Sequence, residues 1–150
     1  MIDYVKLADR LIDLRIRLIR GVYTQMLHDL KGGDVFILHY LESNDGPVRP
    51  KDLSDAMSVS TARITNLLNK MEENGEIKRC VDPRDKRQVF VVITEKGRAR
   101  NLQIRNDLLP NTSTFLEILG PDDAAAYVRI QEKLWQTYTE THQNKNDPEL

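Results

Sequence analysis

The stretch Leu53–Arg87, LSDAMSVSTARITNLLNKMEENGEIKRCVDPRDKR, decides the fold. Its first half reads as two short helical segments meeting at Ser58-Val59-Ser60. Ser60 is placed to cap the second segment by accepting a hydrogen bond from a backbone amide in its first turn. In that segment, expected from about Thr61 to Asn74, Ile64, Leu67, Leu68 and Met71 fall on one face. At about 100° per residue the opposite face carries Ala62, Arg63, Asn66, Asn69 and Lys70, with Thr65 at its edge. Asn74-Gly75 supplies the stop. Glu76–Val81 and Gln88–Ile93 are rich in Val, Ile and Phe and read as strands. Between them Asp82-Pro83-Arg84-Asp85 is turn chemistry, Asp at the first position and Pro at the second.

Helix, joint, helix and hairpin in this order are the pattern of a winged helix-turn-helix. Such a unit lays its second helix in a DNA major groove and its hairpin against the adjoining minor groove. The expected fold class is therefore mainly α, with a two-stranded β-hairpin wing.

Working outward, Tyr4 to Leu30 carries Leu7, Leu11, Leu14, Leu18 and Val22 at helical spacing. Ile12, Ile16, Ile19, Tyr23, Met26 and Leu27 lie beside them. The stripe is wider than a helix needs for one neighbour, which implies one side packed within the subunit and one against a second chain. Lys31-Gly32-Gly33 is expected to end this helix, and Asp34 to cap the next, Val35 to about Glu42. Phe36, Ile37, Tyr40 and Leu41 of that helix point inward. After the loop Ser43–Pro47, Val48-Arg49 is a short strand. Pro50 opens a helix to about Met57, having no amide hydrogen to lose at the first position. Leu53, Ala56 and Met57 form its inner side.

On the far side Thr94 caps a helix starting at Glu95, which Pro110 should kink or break. A last helix starts near Asp122, with Tyr127, Ile130, Leu134 and Tyr138 on one stripe and Trp135 beside it. From Gln143 the tail is polar and expected to fray. Residues 1–33 and 101–150 thus read as a helical dimerisation region, and residues 34–100 as the winged helix.

Of 150 residues, 40% are hydrophobic and 30% charged, enough apolar material for a core and enough charge for solubility. No apolar run reaches the roughly eighteen residues of a membrane span. The start, Met1-Ile2-Asp3-Tyr4, lacks a basic, apolar and small-residue sequence of a leader, so a cytoplasmic protein is expected. One cysteine, Cys80, excludes an intramolecular disulfide framework. The net charge of −1 is uninformative, but its distribution is not. Residues 77–100 hold eight Lys/Arg against three acids, whereas residues 101–150 hold four against eight. A basic segment on a near-neutral chain marks one surface for an anion, or else is a solvated face.

Arginine can make two hydrogen bonds to guanine and asparagine two to adenine, so Arg63 and Asn66 are base-reading candidates. Ala62 and Thr65 can meet a thymine methyl. Ser58, Ser60 and Thr61 stand where hydroxyls and unpaired amides suit a phosphate. Asn69 and Lys70 lie where the DNA backbone is expected. Arg84, Lys86 and Arg87 crowd a hairpin tip, and an arginine there can enter a narrow minor groove. Asp82 and Asp85 are expected to ion-pair with Arg87 and hold it extended, Asp82 as the orienting residue and Asp85 counted with Arg84, Lys86 and Arg87 in the DNA-binding tip. The competing reading is a plain amphipathic helix and a surface hairpin with paired charges.

The run Gly75-x-Ile77-x-Arg79-x-x-Asp82-Pro83-x-Asp85-Lys86-Arg87, followed by Val91-x-Ile93-Thr94-x-x-Gly97-Arg98, resembles the MarR family of bacterial transcription regulators. Leu53-Ser54-x-x-Met57-x-Val59-Ser60 and Ile64-x-x-x-Leu68 match as well. The resemblance is specific over Leu53–Arg98. It implies a mostly helical homodimer with interleaved termini, a wing in the minor groove, and a regulator, often a repressor, released by a small molecule. Asp82 and Arg87 match the paired wing residues of the family. Ser58 departs from it, since glycine is common at that joint.

Cys80 lies beside the wing, not in the first helix where the peroxide-sensing branch of the family carries its thiol; a small half-buried strand residue is the plainer reading. His28, His39 and His142 show no i,i+3 or i,i+4 pairing, so no metal or cofactor is expected. His39 is a candidate effector contact, with a satisfied histidine as the plainer reading, and Arg15, Arg17 and Arg20 are placed to neutralise a carboxylate ligand or, by default, to be solvated. There is no Gly-rich phosphate loop, nucleophile elbow or His/Cys cluster, so no enzyme is expected. A winged helix used solely to bind another protein is the alternative. The expected partners are double-stranded DNA, a second copy of the chain and a small-molecule effector.

Overall fold

The computed structural model describes residues 1–18 and 32–143, with side chains as far as Glu140. Among the described residues six helices and one hairpin follow in order: α1 Tyr4–Leu18, α2 Gly33–Ser43, α3 Pro50–Met57, α4 Thr61–Glu73, β1 Ile77–Val81, β2 Val89–Ile93, α5 Glu95–Leu119 and α6 Pro121–Gln143. The expected continuation of the first helix beyond Leu18, its stop at Lys31, and His28 and Arg20 lie outside the described residues. The chain divides into two compact units, Met1–Leu108 and Leu109–Leu150.

In the first unit the core gathers where α2, α3, α4 and the hairpin meet. Ile37, Leu38, Leu41, Val48, Leu53, Ile64, Leu68, Met71, Ile77, Val91 and Ile93 are buried, with Tyr40, Met57, Val59, Leu67 and Ile104 packed against them. Leu38, which is not among the residues expected to point inward, is fully buried. Phe36 and Tyr40 instead stay half-buried and stack on each other at 5.8 Å between ring centroids.

β1 and β2 pair antiparallel from Ile77↔Ile93 to Val81↔Val89. The short strand expected at Val48-Arg49 is a single bridge, in which Val91 N–H donates to the Val48 carbonyl at 2.8 Å. Arg49 then turns to begin α3. Its amide donates to Asp52 Oδ2 at 2.8 Å and its guanidinium pairs with the same carboxylate at 2.9 Å, a cap that supplements Pro50 at the first position.

Asp34 is not the cap of α2. Gly32 holds that position, and Asp34 sits in the first turn with its carboxylate turned to Arg100. The reason is competition: a guanidinium offers charge-assisted hydrogen bonds stronger than a neutral backbone amide does.

α5 is seated by Thr94, as expected. Its hydroxyl accepts from Gly97 N–H at 3.1 Å and donates to the Gly75 carbonyl at 2.7 Å. Gly97 is buried, and a Cβ there would overlap the Glu76 carbonyl oxygen, so the helix reaches the hairpin this closely because position 97 has no side chain. Pro110 does not break α5, which runs on to Leu119. A proline removes one backbone donor, and the flanking hydrogen bonds are enough to carry a helix across that loss.

In the second unit Phe115 meets Tyr127 edge-on at 5.5 Å, and Trp135 stacks with Tyr138 at 6.1 Å. α1 buries none of its residues, and Leu7, Leu11, Ile12, Leu14, Ile16 and Leu18 are all exposed. On α6, Val128, Ile130, Leu134 and Trp135 are exposed likewise. Among the described residues no helix is long and apolar enough to cross a membrane, and no group of three His, Cys, Asp or Glu is placed to hold a metal ion.

Candidate nucleic-acid interface

The joint between α3 and α4 fixes the attitude of the second helix. Ser58 ends α3 in the left-handed conformation, φ 52° and ψ 42°. Its N–H donates to the Asp55 carbonyl and Val59 N–H to the Ser54 carbonyl. Ser54, buried and unremarked in the sequence, closes the turn by donating its hydroxyl to the Val59 carbonyl at 2.7 Å. A serine thus performs the turn where glycine is usual, at the steric cost that a Cβ brings to this region.

Ser60 caps α4, accepting from Arg63 N–H at 3.3 Å. Its lone pair is engaged while its own O–H remains available to an outside acceptor. Ile64, Leu68 and Met71 are buried and Leu67 half-buried. Thr61, Ala62, Arg63, Thr65, Asn66, Asn69 and Lys70 are all exposed, as are Ser58 and Ser60. The Thr65 hydroxyl donates to the Thr61 carbonyl at 2.9 Å, which leaves its methyl and an acceptor lone pair outward.

At the wing the expected ion pairs to Arg87 are not formed. Asp82 Oδ1 accepts from Arg84 N–H at 2.7 Å, and Asp85 Oδ1 from Arg87 N–H at 3.0 Å. Asp85 Oδ2 also accepts from the Gln88 side chain at 3.2 Å. A carboxylate two residues before an amide reaches it through a compact local ring, so the aspartates shape the turn rather than steer a guanidinium. Pro83 then needs no partner, and Gln88 N–H closes the loop on the Asp85 carbonyl at 2.9 Å. Arg84, Lys86 and Arg87 are exposed, and none makes an ion pair among the described residues.

The basic segment is therefore uneven. Arg79 is spent on Glu72 at 2.5 Å, Arg98 lies near Glu42 and Glu95, and Arg100 is shared by Asp34 and Glu76. These pairs hold the unit together, and the cations of the segment without an ion pair among the described residues are Lys78, Lys96 and the wing-tip Arg84, Lys86 and Arg87, to which α4 adds Arg63 and Lys70. Hydrogen bonds from the Arg79 amide and guanidinium hold the Glu72 carboxyl below its ordinary 4.5, against a smaller opposing effect of burial. At Asp52 desolvation pushes up, but the hydrogen bonds and charge of Arg49 win and the carboxyl is lowered.

Cys80 is exposed rather than half-buried, because it stands opposite Phe90 on the outer face of the hairpin. His39 is exposed on α2. Sequence reasoning missed Ser54, Glu72, Arg79 and the Asp34–Arg100–Glu76 cluster. Only the Ser54–Val59 spacing, five residues across a helix end, is a local signal that could have been caught.

Residues 28–88 match the model of the MarR family. Among curated relatives, the chain is 32% identical over 88 residues to the uncharacterised HTH-type transcriptional regulator YfiV of Bacillus subtilis, covering 57% of this chain and 54% of that protein. It is 31% identical over 85 residues to the HTH-type transcriptional regulator TtmR of Methylorubrum extorquens, covering 57% and 42%. The chain thus spans about half the length of the curated relatives it matches. Among solved structures, a MarR family protein from Bacillus stearothermophilus superposes with a TM-score of 0.72 at 20% identity, over 93% of this chain and 99% of that one. YusO from Bacillus subtilis gives 0.67 at 18%, over 91% and 99%. At those identities the likeness is one of fold.

Proposed function

We propose that this chain, whose residues 28–88 match the MarR family model, is a sequence-specific, double-stranded-DNA-binding transcription regulator, a homodimer on a palindromic operator. One observation carries the reading: Arg63 and Lys70 on α4 and Arg84, Lys86 and Arg87 on the wing are exposed and lack a carboxylate partner among the described residues. Cations that a fold leaves unneutralised beside a polar helix face favour a polyanion, and α4 supplies the groups that read base edges.

Residues 34–100 form the DNA-binding part in this proposal, and residues 1–33 and 101–150 pair two chains. The exposed apolar side chains of α1 and α6 support the pairing, since such stripes are costly in water. A two-fold dimer then presents its two α4 helices to successive major grooves about 34 Å apart. The regulator acts in the cytoplasm as a repressor, released by a small molecule, with His39 as the candidate contact.

Selection of bound duplexes from a random pool tests this. An inverted repeat with half-sites about one helical turn apart is the expected outcome. A pool that shows no enrichment, with the protein folded, would instead favour a winged helix that binds another protein.

A further inference from the structure

Arg79 lies on the inner side of β1, opposite Val91, and its guanidinium reaches α4. There Nη1 meets Glu72 Oε2 at 2.5 Å and Nη2 donates to Asn69 Oδ1 at 2.8 Å, while Arg79 N–H donates to Glu72 Oε1 at 3.0 Å. The side chain is only 25% exposed. It is thus clamped at both ends of a fork, on two residues one helical turn apart.

An arginine has five donors and no acceptor. The amide atom facing it must therefore be the oxygen, and the Asn69 NH2 group must face away. We propose that Arg79 is a positioning residue that locks the Asn69 amide, so that this position of the recognition helix turns its NH2 donor toward DNA.

The consequence concerns what Asn69 can read, and it rests on the DNA-binding proposal above. A free asparagine pairs with adenine through both its donor and its acceptor. With its oxygen held by Arg79, the outward NH2 of Asn69 fits acceptors on the duplex: a phosphate oxygen, a purine N7, guanine O6 or thymine O4. Bidentate adenine reading falls to Asn66, which makes no such bond among the described residues.

The test is a double-mutant cycle on a duplex selected by the wild-type protein, using Asn69→Ala, Arg79→Met and the pair, with Glu72→Gln as a variant that loosens Arg79 without touching Asn69. Each of Asn69→Ala and Arg79→Met is expected to weaken binding about three- to tenfold, the worth of one hydrogen bond. The pair should lose no more than the larger single effect, and Glu72→Gln should fall in the same direction. In the free protein the Asn69 side-chain amide resonances should shift and broaden in Arg79→Met, an observation that needs no DNA. Repeating the selection with Asn69→Ala separates the two sources of acceptor: an altered base preference means a base, and a uniform loss means a phosphate. Additive losses from the two residues, or Asn69 amide resonances unmoved by Arg79→Met, would overturn the assignment. Wild-type protein that selects no duplex overturns the functional reading itself, while the resonances still judge the lock.

Discussion

Arg100 Nη1 donates to Glu76 Oε2 at 2.7 Å, joining α5 to the foot of the hairpin across 24 residues of chain. The same guanidinium reaches Asp34 Oδ2 on α2 at 2.5 Å. Glu76 is 6% exposed at its side chain and Asp34 27%, so the two acids are not equivalent. Removing the arginine leaves a buried carboxylate with no counter-charge, whereas removing Asp34 leaves the arginine one strong partner. Arg100→Met is expected to destabilise the protein by about 2–3 kcal/mol and Asp34→Asn by clearly less. Urea unfolding at a fixed protein concentration measures both, since pairing of chains makes the midpoint concentration-dependent.

Ser58 invites the opposite experiment. Its φ of 52° is a conformation that glycine adopts without steric cost. Ser58→Gly should raise stability by about 0.5–1 kcal/mol, since the strain it relieves exceeds the unfolded-state entropy it adds. If the hydroxyl meets a phosphate, duplex affinity should fall in the same variant. Thermal melting and a binding titration on one preparation test both directions.

Glu72 makes a pH prediction. Its carboxyl is held below the ordinary 4.5, first by the hydrogen bond from Arg79 N–H. A group depressed in the folded state contributes stability above its unfolded value and loses it as pH falls through the folded one. The Arg79 clamp should therefore be intact at neutral pH and weaken progressively below about pH 4.5. In urea midpoints recorded from about pH 3 to pH 7, Glu72→Gln should show a shallower acid limb than wild type and parallel behaviour above it.

Much of this was legible from local spacing. Ser60, Thr94 and Pro50 act within four residues of themselves, so their caps could be read directly. The apolar period of α4 assigned Ile64, Leu68 and Met71 to the core and, by subtraction, gave its outward face. What could not be read was the choice among partners distant in sequence. Asp34 faces Arg100 across 66 residues, and Arg79 faces Asn69 across ten. The wing shows the converse error, because Asp82 and Asp85 looked like partners for a cation when nearer backbone amides take them.

The α4 helix and the wing should fail differently. Arg87→Ala is expected to weaken duplex binding by about 1–3 kcal/mol with pairing of chains intact. Arg63→Ala should change the preferred sequence more than it changes affinity for arbitrary DNA. Binding curves on the selected duplex and on a scrambled one make the comparison. Equal losses on both duplexes for Arg63→Ala would place that residue on phosphate.

The central claim is that unneutralised cations on α4 and the wing grip the DNA backbone while α4 reads bases. Its most direct test is the affinity of the wild-type protein for its selected duplex as salt rises. Two copies of Arg84, Lys86 and Arg87 displacing counterions should cost about a thousandfold or more between roughly 50 and 200 mM salt, linear on a double-logarithmic plot. An affinity indifferent to salt, or no retention of any duplex at the lowest salt, would contradict the account.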